Sequence, residues 1–175
     1  RDVEIRNRLQ LAALQSTDSA ILIADGDGMV EWMNPAFSRL TGYSEQEAMG
    51  RAVGSLCKSG VHGPAFYAEL WDTIRRGEIW RGEIVNRRRD GRLYEELQII
   101  TPVKDSFGAI HHYVAVKMDI TEQNSTARKL SETEARWKSA LECGGQGVWD
   151  WHLREGRVYF SDTWMEMLGY ERGDV

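Results

Sequence analysis

The 175-residue sequence contains only two cysteines, Cys57 and Cys143, and three prolines. Two isolated cysteines cannot build a disulfide framework or the paired spacing of a zinc site. No apolar run approaches the ~18 residues that a membrane span needs, and no secretory signal pattern is present. The sequence therefore predicts a cytoplasmic protein with a hydrophobic core and no membrane contact.

Basic residues are also fewer than acidic ones, since the sequence has 22 Lys and Arg residues and 27 Asp and Glu residues, for a net charge of −5. A general nucleic-acid binder needs a basic surface, so we expect no nucleic-acid partner. The arginines at 87–89 indicate a solvated strand end. Glu95 and Glu96 would face opposite sides of a strand, which argues against an acid/base pair. No nucleophile triad, phosphate loop or metal motif occurs, so we expect no enzymatic activity here.

Apolar runs and turn signals indicate an order of two strands, a group of helices, and three strands. The predicted elements are a hairpin over 20–33, helices over 35–76, and strands over 79–88, 92–103 and 109–118. The acidic turn at 25–28 is similar to a calcium loop, but its twelfth position is Ala36 instead of glutamate, so it predicts a hairpin turn. Such segregation is typical of an α+β fold with a five-stranded antiparallel sheet and helices on one face.

Helical stripes flank this region on both sides. Ile5, Leu9 and Ala12 share one helical face, which fits either a helix packed on its own domain or the end of a coiled coil. Downstream, spacings of 3 and 4 produce an a/d pattern at Ala127, Leu130, Glu134, Trp137 and Leu141. This pattern predicts a linker helix that supports a homodimer, and a solvated connecting helix is the alternative.

The sequence also repeats itself after 127 residues, as Gly42-Tyr43 and Gly169-Tyr170 illustrate. Internal similarity of this kind predicts a second copy of the domain, but counterparts of the helix at 65–76 and of the last three strands are missing. We expect the aromatic side chains of this second hairpin to be covered by the first domain or by another chain. The predicted division is an N-terminal helix (1–15), a domain (16–121), a linker helix (122–141) and an incomplete second domain (142–175).

Several motifs in a fixed order carry a family resemblance. They are Asn34-Pro-Ala-Phe37, Thr41-Gly-Tyr43, the stretches at 77–83 and 86–91, and Asp119-Ile-Thr121. Together they resemble a PAS domain, or sensory box, over 11–121, and 140–175 resembles the first half of another. Because the sequence begins with Arg1, we expect an internal piece of a longer protein.

The resemblance implies the PAS fold, in which a five-stranded antiparallel sheet and helices enclose a pocket. It also implies a sensory, signal-transduction module of a larger bacterial-type protein. Such a module acts through flanking helices on an output domain in the same chain, as in a two-component histidine kinase or a cyclic-dinucleotide cyclase or phosphodiesterase.

Within the family, the stretch from 59 to 88 is similar to the FAD-binding redox sensors. This similarity implies a flavoprotein that senses redox state or oxygen, with Trp80 and Asn86 at the isoalloxazine ring. An indole can stack on a flat ring, and a carboxamide can both donate to and accept from its edge. The remaining candidate cofactor-binding residues are Phe37, Leu56, Trp71 and Asn34.

Other occupants of the pocket are less consistent with these residues. The blue-light branch of the family needs a cysteine to attack the flavin, and Val53 stands at that position. Cys57 and Lys117 replace two glutamines of that branch. Haem needs an axial ligand, and we expect His62 to be a surface-loop residue, so haem is not predicted. His111 and His112 point to opposite faces of a strand and predict no metal site.

An empty pocket is the main alternative to a flavin. Trp71, Trp80 and Phe37 would then be plain core residues. The domain would be a cofactor-free module for dimerisation or interaction, or a sensor of a small metabolite.

Overall fold

The computed structural model of the chain describes residues 2–143 and 146–170. The elements are α1 (Asp2–Ser16), β1 (Ala20–Asp25), β2 (Val30–Met33), α2 (Pro35–Thr41), α3 (Glu45–Ala48), α4 (Val53–Cys57), α5 (Pro64–Arg75), β3 (Trp80–Arg87), β4 (Leu93–Lys104), β5 (Ile110–Asp119), α6 (Thr121–Cys143), β6 (Trp149–His152), β7 (Arg157–Phe160) and α7 (Asp162–Leu168). The chain divides into two compact units, with the boundary between Glu122 and Gln123.

The first unit is built on a five-stranded sheet in the order β2-β1-β5-β4-β3. All four strand pairs are antiparallel, which confirms the predicted α+β fold. Since side chains alternate across a sheet, every second residue of β3, β4, β5 and β1 faces the helices. Leu22, Ala115 and Ile100 lie side by side on this inner face, because Leu22 pairs with Ala115 and Ala115 with Ile100.

The acidic turn at 25–28 joins β1 to β2, as predicted. The Asp25 carboxylate oxygen Oδ1 accepts hydrogen bonds from the backbone N–H groups of Asp27 and Met29, each at 2.9 Å. Gly28 has φ 80°, and a Cβ there would come within 2.8 Å of the Trp71 ring. A glycine is therefore required at Gly28 both by the backbone conformation and by the close approach of α5.

Helices α2 to α5 cover the inner face of the sheet. Phe37 of α2 is fully buried, and Leu70 and Ile74 of α5 face the same core. The spacing of four residues between Leu70 and Ile74 places both on one side of α5. The apolar side of α5 thus packs this helix onto the sheet.

Of the two alternatives left open for α1, the structure does not show the one in which the helix packs on its own domain. None of its residues is buried, and Ile5 and Leu9 are exposed. In the second unit, Leu130 and Trp137 of α6 are exposed as well. No helix within the described residues is both long and apolar enough to cross a membrane.

The second unit contains the hairpin β6–β7 followed by α7. The bounds of β7 and α7 match those of β2 and α2 at the 127-residue offset, and β6 ends where β1 does but begins two residues later. Trp149 pairs with Phe160 as Leu22 does with Met33. Contrary to the expectation that the hairpin's aromatic side chains are covered, Trp149 and Trp151 are more than half exposed. Their coverage by a second chain stays a prediction.

Candidate functional site

A cavity of about 320 Å³ lies between the inner face of the sheet and helices α4 and α5. Its volume falls at the lower end of the range for small-molecule sites, ~300–1,000 Å³. Apolar side chains form most of its wall, chiefly Leu22, Ala24, Val53, Leu70, Trp71, Ile74, Ile84, Ile100, Tyr113 and Ala115. A small, largely apolar group matches this wall in size and in character.

One side of the cavity is polar, because three neighbouring strands each contribute a polar residue. Asn86 comes from β3, Gln98 from β4 and Lys117 from β5. Lys117 is directly opposite Gln98 in the β4–β5 pair. The strand register therefore places a carboxamide, a second carboxamide and an ammonium group at the same side of the cavity.

Asn86 and Lys117 are both bound to Glu96, an inward-facing residue of β4. The Asn86 amide nitrogen Nδ2 donates to Glu96 Oε1 at 2.9 Å. The Lys117 ammonium nitrogen Nζ donates to the same oxygen at 2.6 Å. Lys117 is 1% exposed and Glu96 0%, so the ion pair is shielded from bulk water.

The electrostatics of this cluster follow from burial and from the ion pair. Burial alone would lower the pKa of Lys117, but the Glu96 charge and hydrogen bond outweigh it, and the pKa of Lys117 is raised. Lys117 is therefore an ammonium ion at neutral pH. Burial raises the pKa of the Cys57 thiol, so Cys57, which also lines the cavity, is not a thiolate nucleophile.

The hydroxyl of Tyr67, which lines the cavity, is buried and has no hydrogen-bond partner within the described chain. A buried polar atom without a partner costs roughly 1–3 kcal/mol. The Tyr67 hydroxyl thus leaves spare hydrogen-bonding capacity at the cavity wall, which suits a ligand with a polar group.

Of the residues predicted to bind a cofactor, Asn86 and Trp71 line the cavity. The Trp71 ring meets the Tyr113 ring edge-on, with centroids 5.9 Å apart. Trp80, Phe37 and Leu56 are buried in the core next to it but are not part of its wall.

Trp80 is held in the core by two close contacts. Its ring lies over Gly82, where a Cβ would come within 2.6 Å of it. It also meets the Phe66 ring edge-on at 5.9 Å. The roles of Trp80 and Asn86 at a flavin ring stay predictions.

Asn34 has a structural position before α2. Its Oδ1 accepts from the backbone N–H groups of Ile21 and Phe37. Its Nδ2 donates to the backbone carbonyls of Leu14 and Ser19. Asn34 thus caps α2 and connects it to the end of α1, and its role in cofactor binding also stays a prediction.

His62 lies in the loop before α5, as the sequence predicted, but it is half-buried and its ring has fixed partners. Its Nε2 accepts from the Val85 backbone N–H at 2.8 Å, and its ring stacks on Phe66 at 4.2 Å. The histidine fastens the loop before α5 to β3, which accounts for its position without a ligand.

Sequence reasoning missed Glu96, Gln98 and Lys117 as members of the site. The available signal was the alternation along β4. Tyr94, Glu96, Gln98 and Ile100 share one face, and buried Tyr94 and Ile100 identify that face as the inner one. Glu95 and Glu96 face opposite sides of the strand, as predicted, and Glu96 is on the inner side.

Comparison with known proteins adds independent evidence. A family profile described as PAS domain matches residues 18–122. A nitrogen fixation regulatory protein of Klebsiella oxytoca is 33% identical over 117 residues, which cover 67% of this chain and 23% of that protein. A blue-light-activated histidine kinase of Brucella ovis is 27% identical over 173 residues, which cover 91% of this chain and 35% of the kinase. The chain thus spans a quarter to a third of the length of these relatives.

Solved structures show the same fold. An RNA-binding light-oxygen-voltage receptor superposes with a TM-score of 0.66 at 27% identity, covering 74% of this chain and 37% of the receptor. The light-oxygen-voltage domain of a blue-light-activated histidine kinase from Erythrobacter litoralis superposes with a TM-score of 0.54 at 25% identity, covering 59% of this chain and 96% of that domain.

Proposed function

Since the chain belongs to the PAS domain family, we propose that its cavity binds a flavin, FAD in particular, and senses redox state or oxygen. The observation that carries this proposal is the cavity itself, with an apolar wall and a polar side formed by Asn86, Gln98 and Lys117. Light-oxygen-voltage domains are flavin-binding sensors of the same family, and their structural likeness to this chain supports a flavin here.

The residues of the cavity fit the ring part of such a cofactor. A volume of about 320 Å³ accepts a flat ring system, while the rest of a dinucleotide would extend outside. Asn86 and Lys117 supply hydrogen-bonding groups for the polar edge of the ring, and Trp71 and Ile84 supply apolar surface. Val53, which by the family resemblance stands at the position of the reactive cysteine of blue-light sensors, lines the wall, so we propose redox sensing and no cysteine photochemistry.

A bound flavin supplies redox chemistry, because its ring takes up electrons and protons on reduction and so changes its charge and hydrogen-bond donors. Asn86 would respond to such a change through its bond to Glu96, which connects β3 to β4. Lys117 would respond through the same carboxylate, which connects β4 to β5. Different contacts in the two redox states would bias the sheet toward one of two arrangements.

The proposed signal would leave the domain at the junction where β5 ends and α6 begins. Asp119 Oδ1 accepts from the Thr121 backbone N–H at 3.0 Å, and Asp119 Oδ2 binds the Arg88 guanidinium at 2.6 Å. Arg88 also donates to the Leu40 carbonyl and lies 4.6 Å from the centre of the Tyr94 ring. These contacts support a relay in which the start of α6 is coupled to α2 and to the polar side of the cavity.

An absorption spectrum tests the cofactor directly. We expect the chain, produced with FAD available and then purified, to show flavin absorbance. We expect Asn86→Ala and Trp80→Ala to weaken FAD retention, with Phe107→Ala, at a fully solvated turn, as the matched control. Colourless wild-type protein that takes up no FAD would contradict the proposal. Yellow protein that is unaffected by both substitutions would keep the cofactor and reject these two roles.

The packing of Trp80 and Phe37 favours a second candidate, a cofactor-free dimerisation or interaction module. Both side chains are already buried by their own neighbours. The same spectrum separates the two candidates, because only the first predicts colour. A sensor of a small metabolite would be colourless as well, but it would bind its ligand in the cavity.

We propose further that two copies of the chain associate through the flanking helices, where Leu130 and Trp137 expose apolar surface. In the parent protein the dimer would transmit the signal to an output domain, such as a histidine kinase or a cyclic-dinucleotide enzyme, in the cytoplasm. This segment itself would carry no catalysis.

Leu130→Glu should convert the dimer to a monomer in light scattering, because it places an unpaired charge in an apolar seam. The control Ser131→Glu should leave the mass unchanged, and an unchanged mass for both would reject the seam.

A further inference from the structure

The buried ion pair beside the cavity presents its two charges unequally. Lys117 is part of the cavity wall, whereas Glu96 is not. The two side chains are nevertheless in direct contact at 2.6 Å. A ligand in the cavity would therefore meet the positive end of the pair, with the carboxylate behind it.

Glu96 also determines which atom of the Asn86 amide is available. A carboxylate has only acceptor atoms, so the amide atom that faces Glu96 Oε1 at 2.9 Å is the nitrogen Nδ2. The oxygen Oδ1 is then the amide atom left for another partner. Without the carboxylate, either end of the amide could take that position.

Stability alone does not account for this arrangement. The desolvation of two buried charges offsets most of their attraction, and apolar replacements of buried pairs are often neutral or stabilising. Here the pair stands on the inner face of β4 and β5, shielded from water and beside the cavity. An ion pair at this place is better explained by what it does to the cavity.

We propose that Glu96 is a positioning residue and Lys117 a specificity-determining residue for the ligand, which rests on the proposed function above. Glu96 fixes Asn86 as a hydrogen-bond acceptor and serves as counterion to Lys117. Lys117 presents positive charge to the ligand. The cavity then selects a ligand with an N–H group opposite Asn86 and electron-rich atoms opposite Lys117. For a flavin, the pair favours the reduced over the oxidised form.

The signs of the two charges make the first test specific. In the FAD-loaded chain, Lys117→Gln should lower the midpoint potential, and Glu96→Gln should raise it. The double variant should fall between wild type and Lys117→Gln. Between the two single variants we expect at least a tenfold change in the preference for reduced over oxidised flavin, which is about 30 mV for a two-electron couple. Glu95→Gln, on the other face of the sheet, is the control and should leave the potential unchanged.

A structural role alone would not produce this order, because loss of packing affects both single variants in the same direction. Equal potentials, or shifts of the same sign in both single variants, would overturn the specificity role of Lys117. The double variant leaves no unpaired charge behind, so it remains available if Glu96→Gln fails to fold.

The second test needs no flavin and addresses Asn86. Asn86→Asp places a carboxylate against Glu96, whereas in a Glu96→Gln background the new carboxylate meets an amide donor. We expect the unfolding equilibrium constant in urea to show at least a tenfold coupling between the two substitutions. If one of the single variants does not fold, the same cycle of Asn86 and Glu96 substitutions can be measured in a Lys117→Gln background. Additive effects would overturn the positioning role, whereas a wild type without flavin uptake would end only the proposed function.

Discussion

The hairpin and helix of the first unit and those of the second have the same local structure but very different burial. Asn34 Oδ1 accepts from the N–H groups of Ile21 and Phe37. Ser161 Oγ, 127 residues later, accepts from those of Val148 and Trp164. The exposure of equivalent residues differs sharply, however, since Leu22 is 1% exposed and its counterpart Trp149 is 57% exposed.

This difference separates local from long-range determinants of the fold. A capping side chain, a turn and a short strand pair form from residues within about 20 positions of each other, so both copies have them. Burial of β1 requires β5, which pairs with it across roughly 90 residues of sequence. The second copy has a two-stranded sheet, and such a hairpin is at best marginally stable in water.

The largest expected effect compares the aromatic residue at the same place in each copy. Phe37→Ala should destabilise the first unit by about 3–5 kcal/mol, because it empties a fully buried site. Trp164→Ala should cost the first unit nothing, since Trp164 contacts its own copy, stacked on Phe160 at 4.2 Å. Urea unfolding, followed by circular dichroism, measures both variants. Equal losses would show that the two copies are buried to the same degree.

The comparison also shows what the sequence could predict. Hairpin turns, caps and amphipathic helices follow from residue types at short spacing, so the α+β fold and its five strands were predictable. Asp25 at the first turn and Asn34 at the start of α2 illustrate this. The exposure of α1 was not predictable, because Ile5 and Leu9 fit a packed helix as well as a coiled coil.

The candidate site was predictable only in part, because its polar side depends on strand register. Asn86 was found through the family resemblance and lies at the cavity. The ion pair between Glu96 and Lys117 joins residues 21 positions apart on adjacent strands. Their contact follows from the β4–β5 register, which no local pattern specifies. Trp80 was also found through the family resemblance, but it lies beside the cavity and not in its wall. This position depends on how its ring packs over Gly82, which the sequence does not specify.

A smaller effect compares the two helix caps. Asn34→Ala should cost about 2–3 kcal/mol, because it removes a cap and leaves the partly buried carbonyl of Ser19 without its donor. Asn34→Ser, which gives the first copy the cap of the second, should recover the capping part and not the rest. Ser161→Ala should weaken α7 by about 1 kcal/mol. Urea unfolding measures the two Asn34 variants, and hydrogen exchange of the α7 amides measures Ser161→Ala.

One result would contradict the expected contribution of capping. If Asn34→Ser were as costly as Asn34→Ala, capping would contribute nothing to the first copy. The hydrogen bonds that Asn34 and Ser161 have in common would then not contribute to stability.

The smallest expected effect concerns the glycine that ends each helix. Gly42 and Gly169 have φ 81° and 78°, the left-handed region that alanine adopts at a cost of about 1 kcal/mol. A Cβ on Gly42 would also come within 3.4 Å of Arg89, whereas nothing lies within 4 Å of one on Gly169. Gly42→Ala should therefore lower the stability of the first unit by slightly more than 1 kcal/mol. Gly169→Ala should increase only the exchange of the last α7 amides, and Gly42→Asn, which tolerates this conformation, should recover part of the loss. A larger loss of overall stability from Gly169→Ala than from Gly42→Ala would mean that the end of α7 is the more tightly packed of the two.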